Sequence, residues 1–324
     1  MSDAARRGLV SAALVAVAAV WGTTFVMVQD AVAAYPVYSF LGLRFAVATV
    51  AFLVLFPSTL RRIDRGVIIA GSIAGALLTA GYVFQTLGLA PGMTSPGRAA
   101  FITGMFVVIT PFMQAVILRR APKWTAWVGV VSAVAGLWLL SGGGGQGAWN
   151  SGDTLVLLCA VAYSGHMIVL GSIGRGHDMR PLTFVQLLTV TVVCGTVGIV
   201  TEHPPAPSSL SLWIALVVTG VVASAVAFAV QTYAQKHLSP TRTALILICE
   251  PAFGGLFAWF AVGERLGPAG IAGAVLILVG MAVSEVLATV VAGRGERDVF
   301  EVALEGPPAH LLESIEAGEP DLRG

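Results

Sequence analysis

Ten long apolar runs occupy the sequence and constrain its fold more strongly than any other feature. A helix that spans a bilayer needs about 20 predominantly apolar residues, and each run approaches or exceeds that length. The runs are 9–29, 36–56, 66–89, 97–118, 124–141, 153–173, 181–201, 211–235, 243–262 and 268–290. Only 11% of the 324 residues are charged, against about 25% in a soluble domain. The sequence therefore predicts an all-α integral membrane protein with ten transmembrane helices and no room for a soluble domain.

The basic residues fall mainly on one side of these predicted helices. With ten spans the loops alternate between the two sides of the membrane, and both termini share one side. Fifteen of the eighteen Lys and Arg residues lie on that side, whereas Arg98 and Arg265 lie on the other and Arg44 lies within the second run. Because cytoplasmic loops are enriched in Lys and Arg, we expect a multi-pass protein of the plasma membrane with both termini in the cytoplasm. The first run is too long for the apolar core of a typical signal peptide, which predicts an uncleaved helix.

Two short motifs recur at one spacing in the two halves of the chain. "SPGRAAFI" at 95–102 matches "SPTRTALI" at 239–246, and "GVVSAVAG" at 129–136 matches "GAVLILVG" at 273–280, both at an offset of 144 residues. Each half has five helices, and an odd number gives the second half the opposite orientation in the membrane. Inverted repeats are typical of secondary transporters, whose substrate sites lie where the repeats meet.

The predicted organisation has three parts. Residues 9–140 form the first five-helix repeat and residues 153–290 the second, so the fold class is two inverted five-helix repeats. Residues 293–324 hold eight acids and no long apolar run. This composition predicts a disordered acidic cytoplasmic tail.

Three motifs resemble those of a known family. They are "WGTTFV" at 21–26, "LRF" at 43–45 and "EPAFGGLFAWFAVGERLGPAGIAGAVLILVG" at 250–280. Together with the ten helices in two repeats, they resemble the EamA group of the drug/metabolite transporter superfamily over about residues 9–290. The resemblance implies transport of small metabolites, often amino acids, their relatives or toxic compounds, and it favours export.

An acid stands inside the ninth run. Glu250 lies near the middle of 243–262, where a charged side chain costs at least about 2.5–3.5 kcal/mol. It must therefore face the interior of the bundle, pair with another group or be protonated. Two interpretations stay open, namely a proton-coupling or gating acid and a hydrogen-bonded acid that ties two helices together.

Two prolines occupy similar places in the two repeats. Pro251 follows Glu250, and Pro111 is its counterpart in the first half. Each removes a backbone hydrogen bond from its helix. They are either a pair of hinges about which the repeats rock or static kinks that packing requires.

Three further polar residues within the spans are candidates for substrate contact. Arg44 lies about eight residues into the second run, where it either pairs with an acid or holds an anionic group of the substrate. Gln85 and Gln231 occupy matching positions in the two repeats. Amides are costly in lipid unless they are hydrogen-bonded, so both should face the cavity or another helix.

The last three candidates for substrate contact or coupling are a histidine and two residues of the family-like "WGTTF" motif. His166 lies inside a predicted span and either relays protons or is a satisfied interior group. Trp21 and Thr24 either line the cavity or, for the threonine hydroxyl, bond the backbone of their own helix.

The combined prediction is a secondary transporter that works by alternating access, with proton coupling and passive transport both open. The alternatives are an intramembrane enzyme with a lipid-soluble substrate and a non-transporting sensor or scaffold. No P-loop, HExxH motif or metal-spaced Cys/His cluster occurs, so we predict no enzyme, no cofactor and no metal. The expected partners are a small-molecule substrate and the lipid bilayer, and no nucleic acid.

Overall fold

The computed structural model describes residues 3–118, 124–140, 149–172, 176–235, 246–247 and 249–283. Regular structure in these residues is helical throughout. The α-helices of eight residues or more are α1 Asp3–Ala34, α2 Val37–Leu55, α3 Arg65–Gly88, α4 Pro96–Gly104, α5 Phe106–Leu118, α6 Trp124–Trp138, α7 Ser151–Ser172, α8 Met179–Val197, α9 Leu210–Val217, α10 Ala227–Gln235, α11 Cys249–Val262 and α12 Pro268–Val283. The predicted tail at 293–324 lies outside the described residues.

Six helical segments are long and apolar enough to cross a membrane, judged by length and composition. They are Gly8–Ala34, Val37–Leu55, Arg65–Gly88, Ser151–Leu170, Met179–Glu202 and Leu210–Gln231. Four shorter apolar helices coincide with the remaining predicted runs, at Pro96–Thr110, Trp127–Trp138, Cys249–Val262 and Pro268–Val283. The prediction of an all-helical membrane protein with about ten helices is confirmed.

The fourth predicted span contains a local turn at Met105 within the apolar helix Pro96–Thr110, which the sequence did not predict. α4 ends at Gly104 and α5 begins at Phe106. The Met105 N–H donates to Ile102 O over 3.1 Å, the short-range bonding that closes a helix end. The turn lies beside the second repeat, since a Cβ on Gly104 would come 2.7 Å from Pro251 Cγ. α5 then continues through Pro111, whose side chain is outside the described part.

The eighth span contains a π-helical segment, Val218–Val226, between α9 and α10. The Ser224 hydroxyl donates to Thr219 O over 2.8 Å, five residues back in the chain. α2 approaches this segment closely, because a Cβ on Gly220 would lie 2.7 Å from Arg44 O. The segment therefore brings the second repeat against the backbone of α2 at the level of Arg44.

The last helix of each half packs against its own repeat counterpart. A Cβ on Gly136 would come 2.6 Å from Gly273 O, and a Cβ on Gly280 would come 3.2 Å from Gly129 O. The offset of 144 residues converts 129 into 273 and 136 into 280, so the first contact maps onto the second. Self-complementary contacts of this kind are what a two-fold axis produces. The α6–α12 contact is therefore consistent with inverted repeats, and its glycines let the two backbones approach.

The two halves also interdigitate elsewhere. α2 packs against α8, and α3 packs against both α7 and α8. A Cβ on Gly81 of α3 would meet the Tyr163 ring of α7, so the two helices approach closely at this glycine. Phe40, Phe45 and Phe52 of α2 are wholly or almost wholly buried in the largest apolar cluster. Apolar side chains such as Val54 and Phe260 remain exposed, as expected of residues that face lipid.

Candidate functional site

A cavity of about 180 Å³ lies between the two halves of the chain. Its walls come from α1–α5 of the first half and from α7, α8, α10, α11 and Leu247 of the second. The seven candidates for substrate contact or coupling all line it: Glu250, Arg44, Gln85, Gln231, Trp21, Thr24 and His166. The structure thus brings these residues to one place, while their roles stay predictions.

Glu250 is the acid of the cavity wall. It is the second residue of α11 and is half-buried. None of the hydrogen bonds or ion pairs formed among the described residues involves its carboxyl group. Glu250 lines the cavity, and whether it couples protons or ties helices together stays a prediction.

Arg44 is the fixed cation of the same wall. Only 2% of its surface is exposed, and its Nη2 donates a long hydrogen bond of 3.4 Å to Ser224 Oγ. The guanidinium carbon lies 4.8 Å from the centre of the Tyr82 ring and 5.4 Å from that of Phe45. The ion pair with an acid that the sequence allowed is absent from the described residues.

The amides and the histidine have partners. Gln85 Nε2 donates to Thr103 Oγ1 over 3.2 Å, so this amide bridges α3 and α4. His166 Nε2 lies 2.6 Å from Gln186 Oε1, and only 6% of the histidine is exposed. Gln231 joins the wall from α10.

The "WGTTF" residues combine structural bonds with cavity lining. Trp21 Nε1 donates to Ala223 O over 2.6 Å, which fixes α1 to the π-helical segment. Its ring packs on Phe228 with centroids 5.9 Å apart. The Thr24 hydroxyl donates to Trp21 O over 2.7 Å, so both interpretations of the motif apply at once.

Several lining residues were not identified from the sequence. Tyr82 and Tyr163 contact each other edge to face at 5.7 Å, and Thr103 and Gln186 bond the predicted candidates. Gln186 had a usable signal, because it is an amide within the run 181–201, as Gln85 is within 66–89. The tyrosines had none, since aromatic residues are common in any span.

Of the two hinge candidates, only Pro251 has a described side chain, and it is not among the residues that line the cavity. Pro251 is buried against Gly104 at the turn between α4 and α5. Pro251 lies in the first described turn of α11. The proline of the second repeat therefore contacts the turn between α4 and α5 of the first repeat. The side chain of Pro111 lies outside the described residues, so the pairing of the two hinges stays a prediction.

The two ends of the cavity differ. We call the side where α1 begins the N-terminal side and the opposite one the distal side. Cavity lining reaches Leu170 and Met179, which lie at the N-terminal side of α7 and α8. Toward the distal side, Arg98 Nη2 lies 2.6 Å from Asp153 Oδ2, about 7.5 Å along α4 from Thr103. This buried pair lies on the distal side of the lining residue Thr103.

Asp153 and Glu264 accept hydrogen bonds from groups at the distal ends of the helices. Asp153 also accepts a hydrogen bond of 2.6 Å from the Thr94 hydroxyl. Glu264, from the "GER" stretch, accepts hydrogen bonds from the Ser95 hydroxyl and from the Gly97 N–H at the start of α4. The "SPGR" and "GER" motifs, which come from different repeats, therefore meet at this end.

The N-terminal side carries an exposed ion pair instead. Arg62 Nη1 lies 2.7 Å from Asp178 Oδ2. Burial raises the pKa of the Asp178 carboxyl, but the hydrogen bonds and charges of Arg62 and Arg180 outweigh it and hold the pKa below its ordinary value. The pair links the first half to the start of α8 without enclosing the cavity.

Known proteins similar to this chain agree with these features. The EamA-like transporter family matches residues 8–142 and 150–285. A protein of Archaeoglobus fulgidus that carries the name uncharacterized transporter is 28% identical over 265 residues, which is 82% of each chain. A solved structure, "Crystal structure of protein", has a TM-score of 0.64 at 18% identity and covers 87% of this chain and 98% of that chain. The last likeness concerns the fold alone.

Proposed function

Because this chain belongs to the EamA-like transporter family, we propose that it is a secondary transporter that moves small metabolites through the plasma membrane by alternating access. Amino acids, related compounds and toxic compounds are the substrate classes to test first. The cavity carries the proposal, because residues of both repeats line it, including the polar side chains of Arg44 and Glu250. A site between repeats can face each side of the membrane in turn.

The family also favours a non-enzymatic role. An intramembrane enzyme would need a nucleophile or a general acid–base pair around a bound substrate. Ser164 is bonded to Phe106 O and Ala160 O, which leaves its hydroxyl committed to backbone. A sensor or scaffold would have no use for a polar cavity between two inverted repeats.

Glu250 is the proposed coupling acid. Its carboxyl faces the cavity without a partner among the described residues, so protonation and substrate binding can both change its environment. Coupling to protons would then drive net movement against a gradient. The distribution of basic residues places the N-terminal side in the cytoplasm, and the family resemblance favours export; both are part of the same proposal.

The test is flux in liposomes that contain the purified protein. Pooled amino acids and amines are supplied with and without a pH gradient, beside Glu250→Gln and, as a matched control, Asp30→Asn at an exposed distal acid. We expect gradient-dependent flux in the unaltered protein and in the control, and gradient-independent flux in Glu250→Gln. The absence of flux for every pool would refute transport, and unchanged gradient dependence in Glu250→Gln would refute coupling.

The hinge proposal has its own experiment. Pro251→Ala restores a backbone N–H to the first described turn of α11 and removes a ring that contacts Gly104. We expect a lower maximal flux with a smaller change in substrate affinity. Loss of affinity at normal maximal flux would contradict the hinge.

A further inference from the structure

We propose that Arg44 is the anion subsite of the cavity, so that the transported metabolite carries one carboxylate on a largely apolar body. This assignment deepens the transport function proposed above and rests on it only for the step in which the bound ligand moves. Binding itself can be tested without transport.

Arg44 has hydrogen-bonding capacity that the described protein does not use. A guanidinium has five N–H donors. Its one hydrogen bond, from Nη2 to Ser224 Oγ, measures 3.4 Å, longer than the usual 2.7–3.2 Å of such bonds. Its Nε is buried and has no hydrogen-bond partner among the described residues. The Ser224 hydroxyl in turn donates to Thr219 O.

Arg44 differs from Arg98 in its ionic partner rather than in its unused donors, since Nε and Nη2 of Arg98 also have no hydrogen-bond partner among the described residues. Both arginines are buried, with 2% and 7% of their surface exposed. Arg98 has the Asp153 carboxylate at 2.6 Å, whereas no described acid forms an ion pair with Arg44. An uncompensated buried charge costs several kcal/mol, so a protein keeps one where a ligand completes the pair.

The surroundings hold the guanidinium in a fixed orientation. The Tyr82 and Phe45 rings lie 4.8 and 5.4 Å from its carbon, within the range of cation–π attraction. Gly220 brings the π-helical segment against the backbone of the same residue. A planar guanidinium that cannot rotate freely presents its donors as a fork, which matches the two oxygens of a carboxylate.

The charges of the wall favour a carboxylate over a phosphate. Arg44 is the permanently charged cation among the lining residues, and Glu250 supplies an acid in the same wall. A second negative charge on the ligand would therefore lack a partner and meet an acid. The rest of the ligand would lie against apolar side chains, including Phe106, Met167 and Phe228.

The experiment compares acids with their neutral amides. Purified protein in detergent is titrated with 3-phenylpropanoate and 3-phenylpropanamide, with 4-methylpentanoate and 4-methylpentanamide, with L-phenylalanine and L-phenylalaninamide, and with phenyl phosphate. Binding is followed by the shift in melting temperature. We expect at least one acid to bind about 10- to 150-fold more tightly than its amide, the loss that removing a charged hydrogen bond causes.

Three variants assign the effect to Arg44. Arg44→Gln should remove the preference for the acid, Arg44→Lys should keep part of it, and Arg62→Gln, at an exposed arginine, should leave it unchanged. If Arg44→Gln does not fold, the acid–amide ratio in the unaltered protein and in Arg44→Lys decides. Equal binding of acid and amide, tighter binding of phenyl phosphate, or no binding by any pair would overturn the subsite.

Flux measurements separate this inference from the transport function. Transport of an amide with no transport of its acid would retain the transporter and refute the anion subsite. Selective binding of the acid with no flux of any compound would refute transport and retain the subsite.

Discussion

Two ion pairs with nearly the same N–O distance lie at opposite ends of this bundle and differ in burial. Arg98 Nη2 and Asp153 Oδ2 are 2.6 Å apart, with 9% and 0% of the side chains exposed. Arg62 Nη1 and Asp178 Oδ2 are 2.7 Å apart, with 57% and 28% exposed. Since the distances match, replacing each aspartate by asparagine compares a buried pair with an exposed one.

The expected costs follow from what each substitution leaves behind. Asp153→Asn leaves the Arg98 charge buried and unpaired, which costs about 3–5 kcal/mol in the free energy of unfolding. The asparagine oxygen can still accept one of the bonds that Asp153 receives from Thr94 and from the Asn150 N–H, so the lower part of that range is expected. Asp178→Asn loses a pair that water screens, at about 0–1 kcal/mol.

The assay is unfolding of purified protein in mixed micelles by increasing fractions of sodium dodecyl sulfate. Seven tryptophans report the transition by fluorescence, and free energies are compared at one common detergent fraction. The double variant Arg98→Gln/Asp153→Asn removes both buried charges. It should therefore be more stable than Asp153→Asn alone, which gives a favourable coupling energy in a double-mutant cycle.

Two results would refute this reasoning. Equal losses for Asp153→Asn and Asp178→Asn would mean that burial does not set the strength of these pairs. A double variant as unstable as the sum of the two single variants would mean that Arg98 and Asp153 do not interact.

Three further changes have defined outcomes in the same unfolding assay. A Cβ on Gly42 would lie 2.7 Å from Gly195 Cα, whereas one on Gly195 meets nothing within 4 Å; Gly42→Ala should cost about 1–3 kcal/mol, and equal stability of the two alanine variants would contradict this packing. The pKa of Asp178 is held below its ordinary 3.8. Its pair with Arg62 should therefore stabilise the folded protein fully above about pH 4, and this contribution should be lost as the pH falls through the lowered pKa. If Asp178→Asn leaves the pH dependence of unfolding unchanged, the pair makes no such contribution. Glu264→Ala removes the acceptor at the start of α4 and should cost about 1–2 kcal/mol, with Glu264→Gln less harmful; equal losses would show that the carboxyl oxygens do not cap the helix.

The spans and the cavity candidates were predictable because lipid imposes strong rules. A bilayer requires long apolar helices, and an ionisable or amide group inside one must find the protein interior. This reasoning led to Glu250, Arg44 and Gln85, all of which line the cavity. It would have led equally to Gln186 had every amide in a span been considered.

The turn at Met105 was not predictable by the same rules. The sequence placed the interruption of this span at Pro111, because proline lacks the backbone donor. The structure adds a turn at Met105, six residues before Pro111, where Gly104 meets Pro251 of the other repeat, and the kink at Pro111 stays a prediction. The Arg98–Asp153 pair depends likewise on contact between halves, and a single sequence contains no direct record of such contacts.

The repeats are similar in their helices and different in their chemistry. Thr110 precedes Pro111 as Glu250 precedes Pro251. The Thr110 hydroxyl donates to Phe106 O over 2.7 Å, so it is hydrogen-bonded within its own helix. At the offset of 144, Arg44 corresponds to Leu188, which is 38% exposed and apolar. The first repeat therefore contributes Arg44 to the cavity wall, and the second contributes Glu250. In each case the corresponding position of the other repeat carries an uncharged residue. Two-fold similarity suits a motion in which either side can open, whereas a fixed anion site and a separate acid require that the two halves not be identical.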